Sequence, residues 1–497
     1  MEREKFLTRL TAVLGFLAFA VVLAYHRVVD GDLWARLAVG AGVFRNHAVW
    51  RHDLFAFTPT LPQWIDHEWG AGVVFFALLK WLGPGALLFF KIGAAWAALI
   101  MCLAAARLNG ARSAVILLLA IPCALAILPG FVPVIRSHVF TYLFFGGLLL
   151  GLERIRTGRR WPAFLIVLLL LVWVNVHGGF VVGLGVIAVY AMFVPAARTT
   201  LLITLLAGLA VSCLNPYGVQ FWTYLIPALL HPRADITEWA PLPLWGTWQS
   251  DPYLGGRLLF VIAVVGVAAG RKHGSWLALT MLVLTAAFAW RSRRHVPFFG
   301  LAAAVYLAPY FDGILSRRFA WEIPALVTQA VLAIFVGVNF LPGLTLTPLT
   351  RPEFYPVRAV DILAETKVAG NLVVPFRWGS YAAWRLYPQI LVDIDGRYEE
   401  TYPESTVAMN HDFYFKTGTN WDRLLRNYRV DFIIVETRIA RVTLADLRER
   451  SYELVWADGA SALLARRELV PGLRAGLQRL PATTANPLDS HLPDRWW

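Results

Sequence analysis

Charge is what this chain has least of. Only 15% of its 497 residues are Asp, Glu, Lys or Arg, and the acids are the scarcer sign, 32 against 45 basic residues. Hydrophobic residues make up 58%, where soluble globular chains hold roughly 45–50%. That balance excludes an ordinary water-soluble fold. Cysteine is rarer still: Cys102, Cys123 and Cys213 each sit inside an apolar run. They read as packed thiols, with no disulfide framework and no thiolate metal motif. No GxxxxGKS loop and no GxGxxG after a strand is present, which argues against a nucleotide-driven pump. No His-x3-His pair occurs, so a zinc site is not expected. The N-terminus MEREKFLTRL leads into an apolar run without a small-residue cleavage site, and an uncleaved anchor is expected. No internal repeat is visible.

What is present is a series of apolar runs. A run of about 17–25 residues spans a bilayer, and closed helices satisfy backbone polar groups where lipid cannot. The runs fall at about 6–25, 70–83, 86–106, 113–130, 139–152, 161–176, 178–196 and 199–214, then 257–270, 274–290, 296–311 and 319–342. The formal charge of +13 sits mostly in short loops between them, such as RLNGAR (107–112) and ERIRTGRR (153–160). These basic loops read as topology determinants facing the cytoplasm, and no nucleic-acid partner is expected. The run at 70–83 is short for a crossing. If it stays on one face, the basic loops all fall on the cytoplasmic side, the N-terminus included, with about eleven crossings and an external C-terminus.

From about Thr350 the pattern changes. VRAVDILAE reads as an amphipathic helix, NLVVPF, QILVDI and DFIIVE as short strands, and ELVWAD with SALLARR as a terminal strand pair. The expected fold class is therefore an α-helical polytopic membrane protein of about eleven crossings plus a short membrane or interfacial helix. It carries a C-terminal α/β or α+β extracytoplasmic domain. The expected division is a transmembrane domain over 1–349 with an external loop at 26–69, a soluble domain over 350–480 and a loosely held tail over 481–497.

Chemistry-capable groups gather in the external segments. Of 11 histidines none falls in the middle of a run. Asp30 and Asp32 open the first external loop, where they read as a catalytic base or divalent-metal ligands, or as caps of the helix DLWARLAVG. Asp66, His67 and Glu68 close the same loop between Trp64 and Trp69, two residues suited to a bilayer interface. Glu68 reads as a group orienting a substrate hydroxyl or a metal, His67 as a ligand-binding group or a wet surface residue. At outer ends of other runs lie Lys91, Arg136, His138, Asn175, His177, Arg294 and His295. Arginines there suit a phosphate, whose oxygens match the guanidinium fork, or else snorkel to lipid headgroups. In the soluble domain, IDGRYEETYP reads either as a cover for the membrane site or as a charged turn closing the domain. The acids from both ends of the loop and the cations from the helix tips are expected to meet in one lipid-accessible pocket.

The stretch DGDLWARLAVGAGVFRNHAVWRHDLFAFTP followed by WIDHEW, together with WVNVHGGF, NPYG, EWAP and FRWGSY…DGRYEE, resembles a bacterial branch of the GT-C superfamily of polyprenyl-phosphate-dependent glycosyltransferases. The resemblance covers most of the chain. It implies a polyprenyl-phosphate-linked sugar donor, membrane lipids as surroundings and a glycan, lipid or protein acceptor at the outer face of the bacterial inner membrane. It implies a carboxylate base in the first external loop, Asp32 with Asp30 second. Lys91, Arg136 and Arg294 match the residue types that hold the lipid phosphate, and Asp30, Asp32 and Glu68 could bind Mg or Mn. The chain departs from protein mannosyltransferases, whose loop carries adjacent acidic residues. An oligosaccharide ligase or polymerase, or a non-catalytic scaffold or transporter in envelope polysaccharide assembly, is the alternative.

Overall fold

The structure, a computed structural model, describes the chain except Met1 and residues 231–235, 244–250, 316–319, 352–353, 482–486 and 489–497; the side chains of Leu230 and Glu399 are likewise not described. Most of the expected C-terminal tail, the first part of HPRADITEW and the end of DGILSRR lie outside the described residues. The chain is 66% helical. In order, its helices are α1 Glu2–Tyr25, α2 Gly31–Asn46, α3 Trp69–Leu82, α4 Gly85–Leu108, α5 Ser113–Ile127, α6 His138–Arg156, α7 Pro162–Val176, α8 Phe180–Phe193 and α9 Arg198–Val211. They continue with α10 Gln220–Leu230, α11 Leu254–Gly270, α12 Trp276–Arg291, α13 Val296–Tyr306, α14 Ala308–Ile314, α15 Glu322–Phe340, α16 Val357–Glu365, α17 Phe376–Leu386 and α18 Glu404–Phe415.

The chain divides into two units. The first comprises residues 1–27 and 88–347 and is helical. Among the described residues, five helices are long and apolar enough to cross a bilayer: α1, α4, α5 with its extension to Phe131, α6 and α15. Two bent pairs, α8 with α9 (113°) and α13 with α14 (44°), would raise that number to seven. Helices α3, α7, α11 and α12 are apolar but shorter. Their surfaces suit lipid rather than water. On α15, Val331, Ile334 and Val338 are 61%, 67% and 68% exposed, an apolar stripe larger than soluble proteins leave bare.

Helix directions follow from named contacts. Tyr25 packs edge-on to Phe340 with centroids 5.0 Å apart, and Gly15 faces Gln329, so α1 and α15 run parallel. Lys91, near the start of α4, donates to the carbonyls of His26 and Pro133, so the end of α1 and the start of α4 share one side. At the other end Asn109 Nδ2 reaches the Val305 carbonyl at 3.5 Å and Arg156 donates to Asn109. There the buried Glu153 carboxylate accepts from Tyr190 at 2.5 Å and from Arg156 at 2.7 Å.

The second unit comprises residues 28–87 and 348–497. The loop expected at 26–69 therefore folds, from Val28 on, with the C-terminal region, where the sequence alone assigns it to the transmembrane domain. Phe57 N donates to Val392 O at 3.0 Å, Val392 N to Phe55 O at 2.9 Å, and Thr406 Oγ1 to Pro59 O at 2.9 Å. The unit holds a five-stranded sheet of order β2-β1-β3-β5-β4, made of β1 Gly370–Val373, β2 Ile390–Val392, β3 Phe432–Glu436, β4 Tyr452–Ala457 and β5 Ser461–Arg466. β1 pairs parallel with β2 and β3; β5 pairs antiparallel with β3 and β4. Every residue of β3 (FIIVE) is buried, as a central strand covered on both faces requires. The expected helix VRAVDILAE is α16 and the expected terminal pair is β4–β5.

Two helices inside the loop region fix its shape. α2 is buried from Leu33 to Gly42, and α3 packs along it. A Cβ on Gly40 would stand 2.1 Å from Gly72 O, so only glycine lets the two backbones come this close. At 14 residues α3 is about 21 Å long, short of the ~30 Å hydrocarbon core.

Candidate functional site

The acidic candidates all belong to the second unit. Asp30 caps α2: its Oδ1 accepts from Leu33 N at 3.4 Å. This is the capping role open to it from sequence. Asp32 stands exposed in the first turn of α2, at the positive end of the helix dipole. One turn further on the same face is Arg36, 4% exposed within the buried stretch Leu33 to Gly42.

Arg36 joins the two ends of the loop. Its NH1 donates to Asp66 Oδ1 at 2.5 Å and its Nε lies 3.6 Å from Glu68 Oε2. Asp66 Oδ1 also accepts from Glu68 N at 2.9 Å, which fixes the turn into α3. His67 lies 3.1 Å from Glu400 and 3.6 Å from Glu68. Burial by itself would depress the imidazole, but the carboxylates of Glu400, Glu68 and Asp66 outweigh it and lift His67 to about 9. Burial likewise opposes the Arg36 charge, and Asp66, Glu68 and Glu400 raise it above its ordinary value. The result is a cluster of three carboxylates and two cations next to Asp32 along α2.

The metal set proposed from sequence does not fit this arrangement. Asp30 is engaged by Leu33 N and Glu68 lies beside Arg36, and among the described residues no three His, Cys, Asp or Glu side chains gather as a cation site.

The cationic candidates belong to the first unit, and four of them come together. The loop segment from Thr237 into EWAP (238–241) docks on the segment between α12 and α13: Ser292 Oγ donates to Glu238 O at 3.2 Å and Arg293 N to Ala240 O at 3.1 Å. Glu238 Oε1 accepts from Arg136 NH1 at 2.5 Å. Burial would raise the Glu238 carboxyl, but Arg136, Arg294 and His138 hold it below its ordinary range. The Arg294 guanidinium lies 5.1 Å from the Trp239 ring centre, within cation–π range. His295 packs edge-on to Trp239, and His138 reaches Gly130 O at 2.8 Å.

The remaining candidates are held separately. His177 Nδ1 meets Thr141 Oγ1 at 2.8 Å and Gly179 N at 2.9 Å; Trp173 Nε1 also donates to Thr141. Asn175 Nδ2 donates to Leu171 O and Leu214 O at 2.9 and 3.0 Å, joining the ends of α7 and α9. Lys91 is fully buried on the two carbonyls described above.

In the second unit, IDGRYEETYP forms a buried ion cluster. Arg397 pairs with Asp53 at 2.5 Å and Asp395 at 2.6 Å under the rings of Phe55, Trp64 and Tyr402. The same segment supplies Glu400 to the cluster around His67. Sequence reasoning missed Arg36, Glu400 and Glu238 as members of these clusters. Arg36 carried a signal, a lone cation inside the apolar stretch LWARLAVG four residues after Asp32. Glu238 was noticed only as part of EWAP. Glu400 was noticed only as part of IDGRYEETYP, and nothing in the sequence links it to His67.

In comparison with known proteins, no family model matches the chain and no curated protein matches its sequence.

Proposed function

We propose that the chain is a GT-C-type membrane glycosyltransferase, moving a sugar from a polyprenyl-phosphate-linked donor to an acceptor at the extracytoplasmic face of a bacterial inner membrane. The observation that carries the reading is the gathering of Arg136, His138, Arg294 and His295 around Glu238 and Trp239. His138 opens α6, whereas Arg154 and Arg156 close it, about 28 Å away along the helix. The aromatic and cationic cluster and the basic turn ERIRTGRR thus occupy opposite ends of one helix. By the positive-inside rule the basic end is cytoplasmic and the cluster faces outward. The parallel pair α1 and α15 is consistent with an odd number of crossings, about eleven, with α3 remaining on one face.

In this reading Asp32 takes the proton of the acceptor hydroxyl. The acceptor oxygen bonds to the anomeric carbon of the sugar, and the bond from that carbon to the phosphate oxygen breaks. The lipid phosphate leaves with the electron pair, its charge matched by cationic groups, the role that the resemblance gives to side chains of the type of Arg136 and Arg294. The cluster of Arg36, Asp66, His67, Glu68 and Glu400 holds α2 and thereby the position of Asp32.

The test is sugar transfer in vesicles carrying a labelled polyprenyl-phosphate donor. Asp32→Asn is expected to lower the rate by roughly 10²–10⁴-fold, the size of a general-base contribution, while the protein inserts normally. Transfer at the wild-type rate would remove Asp32 from the mechanism.

A further inference from the structure

The first unit contains a cavity of about 220 Å³ between α1, α4, α5 and α15. Its lining runs along α1 from Thr11 through Phe19 to His26, a path of roughly 22 Å at 1.5 Å per residue. That is most of the ~30 Å hydrocarbon thickness. Leu103, Ala124 and Phe335 are typical of the walls, which are almost wholly apolar. So small a volume drawn out over such a length leaves width for one extended chain and not for a compact ligand. Gln329 keeps the slot's fourth wall in place: its Nε2 donates to Leu117 O at 3.3 Å, tying α15 to α5.

The two ends of the slot differ. Toward Thr11 its lining residues are neutral. At the other end the lining reaches His26, whose carbonyl accepts from the buried ammonium of Lys91, with Arg27 next in the chain. Lys91 is held by two backbone carbonyls, and among the described residues no carboxylate pairs with it. An ammonium taken out of water without a counterion is costly, so this end attracts a negative charge. Arg27 adds a guanidinium anchored on Thr347 O at 3.3 Å.

We propose that this slot binds one hydrocarbon chain of a membrane lipid, with the lipid's anionic phosphate head at the His26–Arg27 end. The proposal rests on the membrane-spanning reading of these helices and is independent of sugar transfer. An acyl phospholipid and an isoprenoid phosphate share the chemistry required.

The experiment is native mass spectrometry of the full chain released from phosphatidylcholine vesicles doped with phosphatidylglycerol or with a long-chain isoprenoid phosphate. The wild type is expected to retain one doped lipid per chain in preference to phosphatidylcholine. Ala124→Phe, which fills the slot, is expected to reduce retention by about tenfold or more. Val13→Phe adds the same bulk to α1 outside the slot, where Val13 is 52% exposed, and is expected to leave retention unchanged. Thermal unfolding of both variants checks that they fold, and Ala12→Leu supplies a second obstruction should Ala124→Phe misfold. Retention of either doped lipid with loss in the filled variants supports the slot; the isoprenoid phosphate alone would link it to the donor, and the phospholipid alone would separate it from sugar transfer. Equal retention by wild type and filled variants, or equal retention of phosphatidylcholine, overturns it.

Discussion

Replacing Arg397 by alanine should be among the most damaging single changes in the second unit. Its side chain is 1% exposed, as is that of Asp53, and Asp395 is 2% exposed. The guanidinium binds Asp395 through Nε at 2.9 Å and NH2 at 2.6 Å, and binds Asp53 at 2.5 Å. Trp64 lies 4.6 Å and Phe55 4.9 Å from it. Arg397→Ala therefore strands two carboxylates in a dry site and opens a void among aromatic rings. Breaking a buried ion pair from one side costs about 3–5 kcal/mol. In a unit of roughly 200 residues each kcal/mol moves the melting temperature by about 2–4 °C, so a fall of roughly 6–20 °C is expected. The assay is thermal unfolding of the detergent-solubilised protein by tryptophan fluorescence, to which Trp64 contributes directly. Neutralising the stranded acids, in Arg397→Ala with Asp53→Asn and Asp395→Asn, should recover part of the loss because the uncompensated charge is gone. A single variant melting within about 2 °C of the wild type, or a triple variant melting lower than the single, would refute the electrostatic account.

Two further outcomes follow from the α2–α3 region. His67 has a folded pKa of about 9 against roughly 6.5 unfolded, so its contribution to stability is complete below about 6.5 and is lost as pH rises through 9. Melting temperature measured from pH 6 to 10 should fall across that window in the wild type and fall less in His67→Gln; parallel curves would show that the imidazole is not charged in the fold. Gly40→Ala places a methyl 2.1 Å from Gly72 O and should cost about 1–3 kcal/mol by forcing the helices apart, whereas Gly185→Ala meets nothing within 4 Å and should be neutral or slightly stabilising. Equal melting temperatures for these two variants would contradict the close crossing.

Parts of the site were legible in the sequence and parts were not. The capping reading of Asp30 was available because a cap is a local device, set by a residue and the three that follow it. That the run at 70–83 is short was legible by counting residues alone, and the helix found there, α3, has 14 residues. The pairing of Glu238 with Arg136 spans 102 positions and that of His67 with Glu400 more than three hundred. No local pattern encodes either, since an ion pair needs only that two side chains arrive at the same place. The strands at NLVVPF, QILVDI and DFIIVE were visible as runs, but their order in the sheet was not.

Composition and periodicity by themselves determined the apolar helices, the small C-terminal sheet region and the segments that carry ionisable groups. These depend on how each stretch of chain meets lipid, water or its own backbone, which is a property of neighbours in sequence. Tertiary structure alone decided that residues 28–87 belong with the C-terminal region, that Arg36 holds Asp66 and Glu68, and that Arg136 faces Glu238. Those outcomes depend on which buried charges find opposite partners, and burying a charge is costly unless the fold supplies one.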